Sequence, residues 1–109
     1  MMADKRLELH EILCEIINIT EPDGNRHVYF DPPMDLQIKY PAIIYSRGRI
    51  NKVYANNTAY SLRIPYEIIV IDYDPDNEYV SKILALPYCE HDRYYASDNL
   101  HHDVFTLYY

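Results

Sequence analysis

Five small groups of residues carry side chains that could do chemistry. Asp72, Asp74 and Asp76 alternate along the chain like the first three oxygen ligands of a calcium loop. The sixth position of such a loop is here Asn77 where a glycine is needed, and the twelfth is Ile83 where a bidentate glutamate is needed. Without that carboxylate, the run reads better as an acidic helix start. His10 and Cys14 are spaced i, i+4, and Cys89 and His91 are spaced i, i+2. Brought together they would make a tetrahedral zinc set, but neither spacing matches a zinc-finger pattern. A buried thiol and a surface imidazole account for each pair more simply. His101-His102-Asp103 offers bases, yet no glycine-rich elbow, oxyanion loop or phosphate cradle accompanies them. The tyrosines form the fifth group. Tyr94, Tyr95, Tyr108 and Tyr109 fall where strands are expected and suit sheet packing, whereas Tyr54 and Tyr60 fall in a polar connection and suit contact with a partner. The reading is of a protein without enzymatic chemistry, cofactor or metal.

Whatever these residues do, a single domain spanning 1–109 must position them, since 109 residues leave no room for separate substrate and cofactor domains. Two cysteines are too few for a disulfide framework and point to a reducing compartment. There is no stretch of eighteen apolar residues, and the first residues lead into no signal-like apolar run, so a soluble, unexported chain is expected. Of the 15 aromatic residues 13 are Tyr, and Gly occurs only twice, which favours a β-rich fold with many half-buried rings.

The net charge of −7 repels nucleic-acid backbone. Its distribution says more. Residues 1–35 carry 8 acids and 3 bases; residues 36–66 carry no acid and five bases, Lys39, Arg47, Arg49, Lys52 and Arg63; residues 67–109 carry 9 acids and 2 bases. A basic block between two acidic blocks suits a protein with two unlike surfaces.

Periodicity supplies the elements. Leu9, Ile12, Leu13, Ile16 and Ile17 lie on one face of a helix from about Asp4 to Thr20, with Asp4 as N-cap and Pro22-Asp23-Gly24-Asn25 as the stop. Val28–Phe30 and Ala42–Arg47 read as strands, residues 48–60 as a long hairpin connection, and Ser61–Asp72 as the longest strand. Pro65 cannot donate a ladder bond, which predicts an edge or a bulge there. Asp74-Pro75 opens a second helix that ends near Pro87, with Tyr79, Val80, Ile83 and Leu84 facing inward. Strands over Tyr88–Ala96 and His102–Tyr109, joined through Ser97-Asp98-Asn99, complete the chain. The expected architecture is α+β, order α-β-β-β-α-β-β, with two helices on one face of a mainly antiparallel sheet.

The strings Tyr40-Pro41-Ala42-Ile43-Ile44-Tyr45, Tyr66-Glu67-Ile68-Ile69-Val70-Ile71-Asp72-Tyr73-Asp74-Pro75-Asp76 and Ala96-Ser97-Asp98-Asn99-Leu100-His101-His102-Asp103-Val104-Phe105, with the basic, Asn-containing segment between the first two, carry a family pattern. Together they resemble the small tail terminator or tail completion proteins of long-tailed bacteriophages and prophages. The resemblance covers nearly the whole chain, and its motifs are structural. It implies an α+β structural protein of the virion, made in the host cytoplasm and sited at the head-proximal end of the tail. There a ring of six copies caps the finished tube, stops its polymerisation and docks the head. The implied partners are further copies of the chain, the tail tube protein and a head-closure or connector protein. DNA would pass through the lumen without specific binding, and no membrane is involved. Another head-tail connector ring, or a small soluble binding module, is the alternative.

Closed rings use heterologous contacts, in which one patch meets a different patch on the next copy. The charge blocks nominate the two patches: Arg47, Arg49, Lys52 and Arg63, with Tyr54 beside them, on one side, and Asp72, Asp74, Asp76 and Glu78 on the other.

Overall fold

The computed structural model describes residues 2–48 and 63–109. The segment expected as a hairpin connection lies outside them, apart from its first residue. Helix α1 spans Met2–Ile16, strand β1 Val28–Phe30, β2 Ala42–Arg47, β3 Pro65–Asp72, helix α2 Tyr79–Leu84, β4 Cys89–Ser97 and β5 Leu100–Tyr108. This is the expected element order. The strands form one sheet in the order β1-β2-β3-β5-β4, with β1 parallel to β2 and every other pair antiparallel.

Both helices cover one face. Leu9, Leu13 and Ile17 of the first helical stretch and Ile83 of α2 are fully buried against Ile43, Tyr45, Ile68, Val70, Phe105 and Leu107. The strand positions alternate, so the period of two puts these side chains on the helix side. The intervening Ala42, Ile44, Ile69, Ile71 and Val104 make an apolar centre on the other face.

Several boundaries differ from the periodic reading. Helix α1 starts at Met2, so Asp4 sits inside its first turn, where the helix dipole favours an acid, and is not the cap. It ends at Ile16, short of Thr20, because Thr20 is drawn into a bridge with Arg26 around a turn where Gly24 takes φ 90°. Pro65 lies in central β3, at neither an edge nor a bulge. Its missing N–H does no harm at the first position of the strand, and its carbonyl accepts from Gly48 N–H at 2.7 Å. Asp98 and Asn99, both with positive φ, make a two-residue turn of the type that matches strand twist. That turn is tighter than the expected connection, so β5 begins at Leu100.

Candidate functional site

The nominated interface residues that the structure describes separate along β3. Arg47 is exposed at the end of β2, in register with Tyr66. Arg63 is half-buried just before β3, its guanidinium carbon 4.1 Å from the centre of the Tyr88 ring. Asp72 ends β3 in register with His101, and Asp74 and Asp76 are exposed in the turn beyond it. Six strand steps from Tyr66 to Asp72 put about 20 Å between the two sets. Arg49, Lys52 and Tyr54, like Tyr60, lie outside the described residues.

The arginine-bearing end gathers two more cations from α1. Lys5 Nζ lies 5.5 Å from the Tyr109 ring centre, and the Arg6 guanidinium lies 4.3 Å from that of Phe30. Sequence reasoning missed both because it placed α1 in the acidic amino-terminal block. Only packing brings the start of the helix to this end of the sheet.

The acidic end is built from local hydrogen bonds. Asp72 Oδ1 accepts from Asp74 N–H at 3.3 Å, and Asp74 Oδ1 accepts from Asp76 N–H at 2.9 Å. Asn77 Oδ1 then accepts from the N–H groups of Tyr79 and Val80, and Asn77 Nδ2 donates to Asp74 O. Asn77 therefore does the capping expected of Asp74, and α2 opens at Tyr79, five residues after Asp74. The reason is competition: two successive aspartate turns divert the backbone before it can wind. Glu78 is exposed, with Lys82 Nζ 3.6 Å from its Oε1. Leu84, expected to face inward, is 48% exposed.

The remaining chemistry-bearing groups are dispersed. His10 Nδ1 is hydrogen-bonded to the hydroxyl of fully buried Tyr45 at 2.7 Å. Burial lowers the His10 pKa from its ordinary value and raises that of Tyr45. His91 Nε2 lies 2.9 Å from Oδ1 of buried Asp103. Burial, with Asp92 and Glu90 adding to it, pushes the Cys89 thiol up to about 11, so it is a poor thiolate source at neutral pH. Among the described residues no cluster of His, Cys, Asp or Glu could hold a metal ion. His101, His102 and Asp103 do not converge, because strand alternation sends His102 to the opposite face from its neighbours.

Two further features gave no sequence signal. His27 is buried with both ring nitrogens engaged: Nδ1 donates to Pro41 O at 2.7 Å and Nε2 lies 2.8 Å from Glu21 Oε2. Lys39 Nζ donates to Glu21 Oε1 at 3.1 Å, and these two donors, His27 first, hold the Glu21 carboxyl below the usual carboxylate range. An open cleft of about 430 Å³ beside β1 is bordered by Glu21, Arg26, Tyr29 and Lys39. Its cations are already paired, Arg26 with Glu11 and Lys39 with Glu21.

At the other edge of the sheet, the β4–β5 hairpin carries two aromatic stacks, one on each face. Tyr94 lies on His101 with its hydroxyl hydrogen-bonded to Nδ1, and Tyr95 lies on His102 at 4.5 Å between ring centres and 11° between planes. Every residue of β4 from Glu90 to Ser97 is exposed.

No family model, curated protein or solved structure matches this chain. What the arrangement can do therefore rests on its own geometry: a five-stranded sheet with Arg47, Arg63, Lys5 and Arg6 toward one end, Asp72, Asp74 and Asp76 toward the other, and an exposed edge strand, β4, along one side.

Proposed function

We propose that this chain is a structural protein of a phage virion, a tail terminator whose copies join head to tail into a ring, six by the family resemblance. The ring caps the tail tube, stops its polymerisation and presents the docking surface for the head. The observation that carries the proposal is the separation of Arg47 and Arg63 from Asp72, Asp74 and Asp76 by about 20 Å along one strand. A heterologous ring needs two unlike patches facing different ways on each subunit, and arginines beside one end of the central strand with aspartates at and beyond the other supply them. Exposed ion pairs contribute about 0.2 to 1 kcal/mol each, so the charges set orientation and register while apolar contacts hold the ring.

In this reading the partners are neighbouring copies, the tail tube protein and a head-closure or connector protein, and DNA passes through an acidic lumen without specific binding. The test is to add purified protein to polymerising tube subunits and measure tube length by electron microscopy, with particle mass by light scattering. A terminator forms rings and shortens the tubes. Rings that leave tube length unchanged identify a head-closure or adaptor ring instead, and a chain that stays monomeric with tubes present refutes the ring altogether.

A further inference from the structure

The sheet has one long open edge. Strand β4 is outermost, with nine residues against three for β1 at the opposite edge. An open edge is a template for another strand, and proteins usually blunt it with bulges, charges or proline. Here those devices occupy the first half of β4: the bulge falls between His91 and Arg93, and the charges are Glu90, Asp92 and Arg93. Tyr94, Tyr95, Ala96 and Ser97 form a regular, uncharged, exposed edge.

The hairpin register shows which backbone groups that edge offers. The two-residue turn at Asp98-Asn99 makes Ser97 and Leu100 a hydrogen-bonded pair. Alternation then makes Tyr95 with His102 a hydrogen-bonded pair, and Ala96 with His101 and Tyr94 with Asp103 non-hydrogen-bonded pairs. The N–H and C=O of Tyr94 and Ala96 therefore point away from β5, into the open side, while those of Tyr95 between them are taken up inside the hairpin.

This pattern is complementary to itself. When a second β4 lies antiparallel beside the first, about a two-fold axis at Tyr95, Tyr94 of each copy faces Ala96 of the other and outward groups meet outward groups. An axis at Tyr94 would instead set Ala96 against the bulge, and an axis at Ala96 would set Tyr94 against the turn at Asp98. The side chains agree with the axis at Tyr95. Tyr94 lies opposite a small alanine, so its ring keeps its place on His101. The two Tyr95 rings, each already stacked on its own His102, meet as a cross-strand aromatic pair and lose little freedom in doing so. Charge agrees as well. Arg93 comes opposite Ser97 of the second copy, one residue from that copy's Asp98, and none of the ion pairs among the described residues uses Arg93.

We infer that two copies of this chain pair β4 to β4 about a two-fold axis at Tyr95 and so join their sheets into one. A two-fold contact closes on two copies and cannot run around a ring, so the pairing is a second contact of the chain, beyond the ring proposed above.

Sedimentation of the full-length chain over a concentration series should show a monomer–dimer equilibrium. Ala96→Pro takes an outward N–H from each copy and no bond from the β4–β5 ladder; it should stay folded by circular dichroism and dimerise about tenfold more weakly. Cysteines placed in a Cys89→Ser background read the register. Tyr95→Cys sets two thiols across the axis, within the span of a disulfide, whereas Ser97→Cys leaves them about 13 Å apart. Under mild oxidation Tyr95→Cys should form covalent dimers about tenfold faster than Ser97→Cys. If Ala96→Pro unfolds, the two cysteine variants decide alone. A chain that is monomeric at every concentration, dimers of unchanged strength from folded Ala96→Pro, or equal crosslinking at the two positions would overturn the pairing. Rings that form on tail tubes without any crosslink at Tyr95→Cys would also overturn it, and would leave the ring standing.

Discussion

The acidic surface depends on a helix too short to stand alone, and that makes Ile83→Ala an informative perturbation. Helix α2 has six residues, about half the length at which an isolated helix becomes marginal in water. Its fold comes from docking, and Ile83 is its one fully buried side chain, with Tyr79 and Val80 half-buried beside it. Truncating a fully buried isoleucine to alanine costs about 2 to 5 kcal/mol, through lost transfer energy and the cavity left behind. Tyr79, Val80 and Leu86 are partly buried against the same core and can partly close over the gap, which places the expected loss near the middle, about 3 kcal/mol. A domain of this size has a total stability of roughly 5 to 15 kcal/mol, so the loss is a large fraction that leaves the chain folded. Ile83→Val should cost only about 0.5 to 1.5 kcal/mol. Urea titration with an unchanged m-value measures the loss. Amide exchange should show residues 79–86 losing protection before the sheet does, because Ile83 is what ties α2 down. A loss under about 1 kcal/mol from Ile83→Ala, or α2 amides as protected as in the unaltered chain, would refute the idea that one side chain docks this helix.

Other expectations follow from the same geometry. Tyr45→Phe keeps the ring contacts with Phe30 and Tyr66 and removes the hydroxyl bonded to His10, so it should cost about 1 kcal/mol in thermal or urea unfolding. His10 has a folded-state pKa below its ordinary value. The stability this gives is complete above that ordinary value, about 6.5, and is lost as pH falls through the depressed one, a loss that chemical unfolding at successive pH values would record and that His10→Gln should blunt. Reversing Arg47 and Arg49 to glutamate should weaken self-association by about 5- to 30-fold, for two exposed pairs of up to about 1 kcal/mol each, and Asp74→Lys with Asp76→Lys should restore part of it. Light scattering across a concentration series reads both steps, and no recovery in the combined variant would mean that these two surfaces do not meet.

Much of the architecture was legible along the chain. The i, i+3, i+4 spacing of Leu9, Leu13 and Ile17 announced α1, and the apolar run after Pro41 announced β2 with both its boundaries. The alternation ending at Asp72 announced β3, and the element order followed from these. The interface residues were less legible. The charge blocks were plain, yet whether Arg47 and Asp72 face one way or opposite ways depends on the direction of β3 and its register with β2 and β5. Asp74 looked like a helix cap because Asp-Pro is a good local start. Asn77 takes that role once Asp72 and Asp74 have spent their carboxylates on the turn before it.

By itself the sequence determined the set of elements, their order and the block pattern of charge, because these follow from side-chain period and composition within a few residues of each other. Tertiary structure alone decided which distant residues became neighbours. It carried Lys5 and Arg6 to the arginine-bearing end, seated His27 between Glu21 and the Pro41 carbonyl, and left Tyr94 to Ser97 on an open edge. Such contacts join residues far apart along the chain, and they form only when burial of the core brings whole elements together.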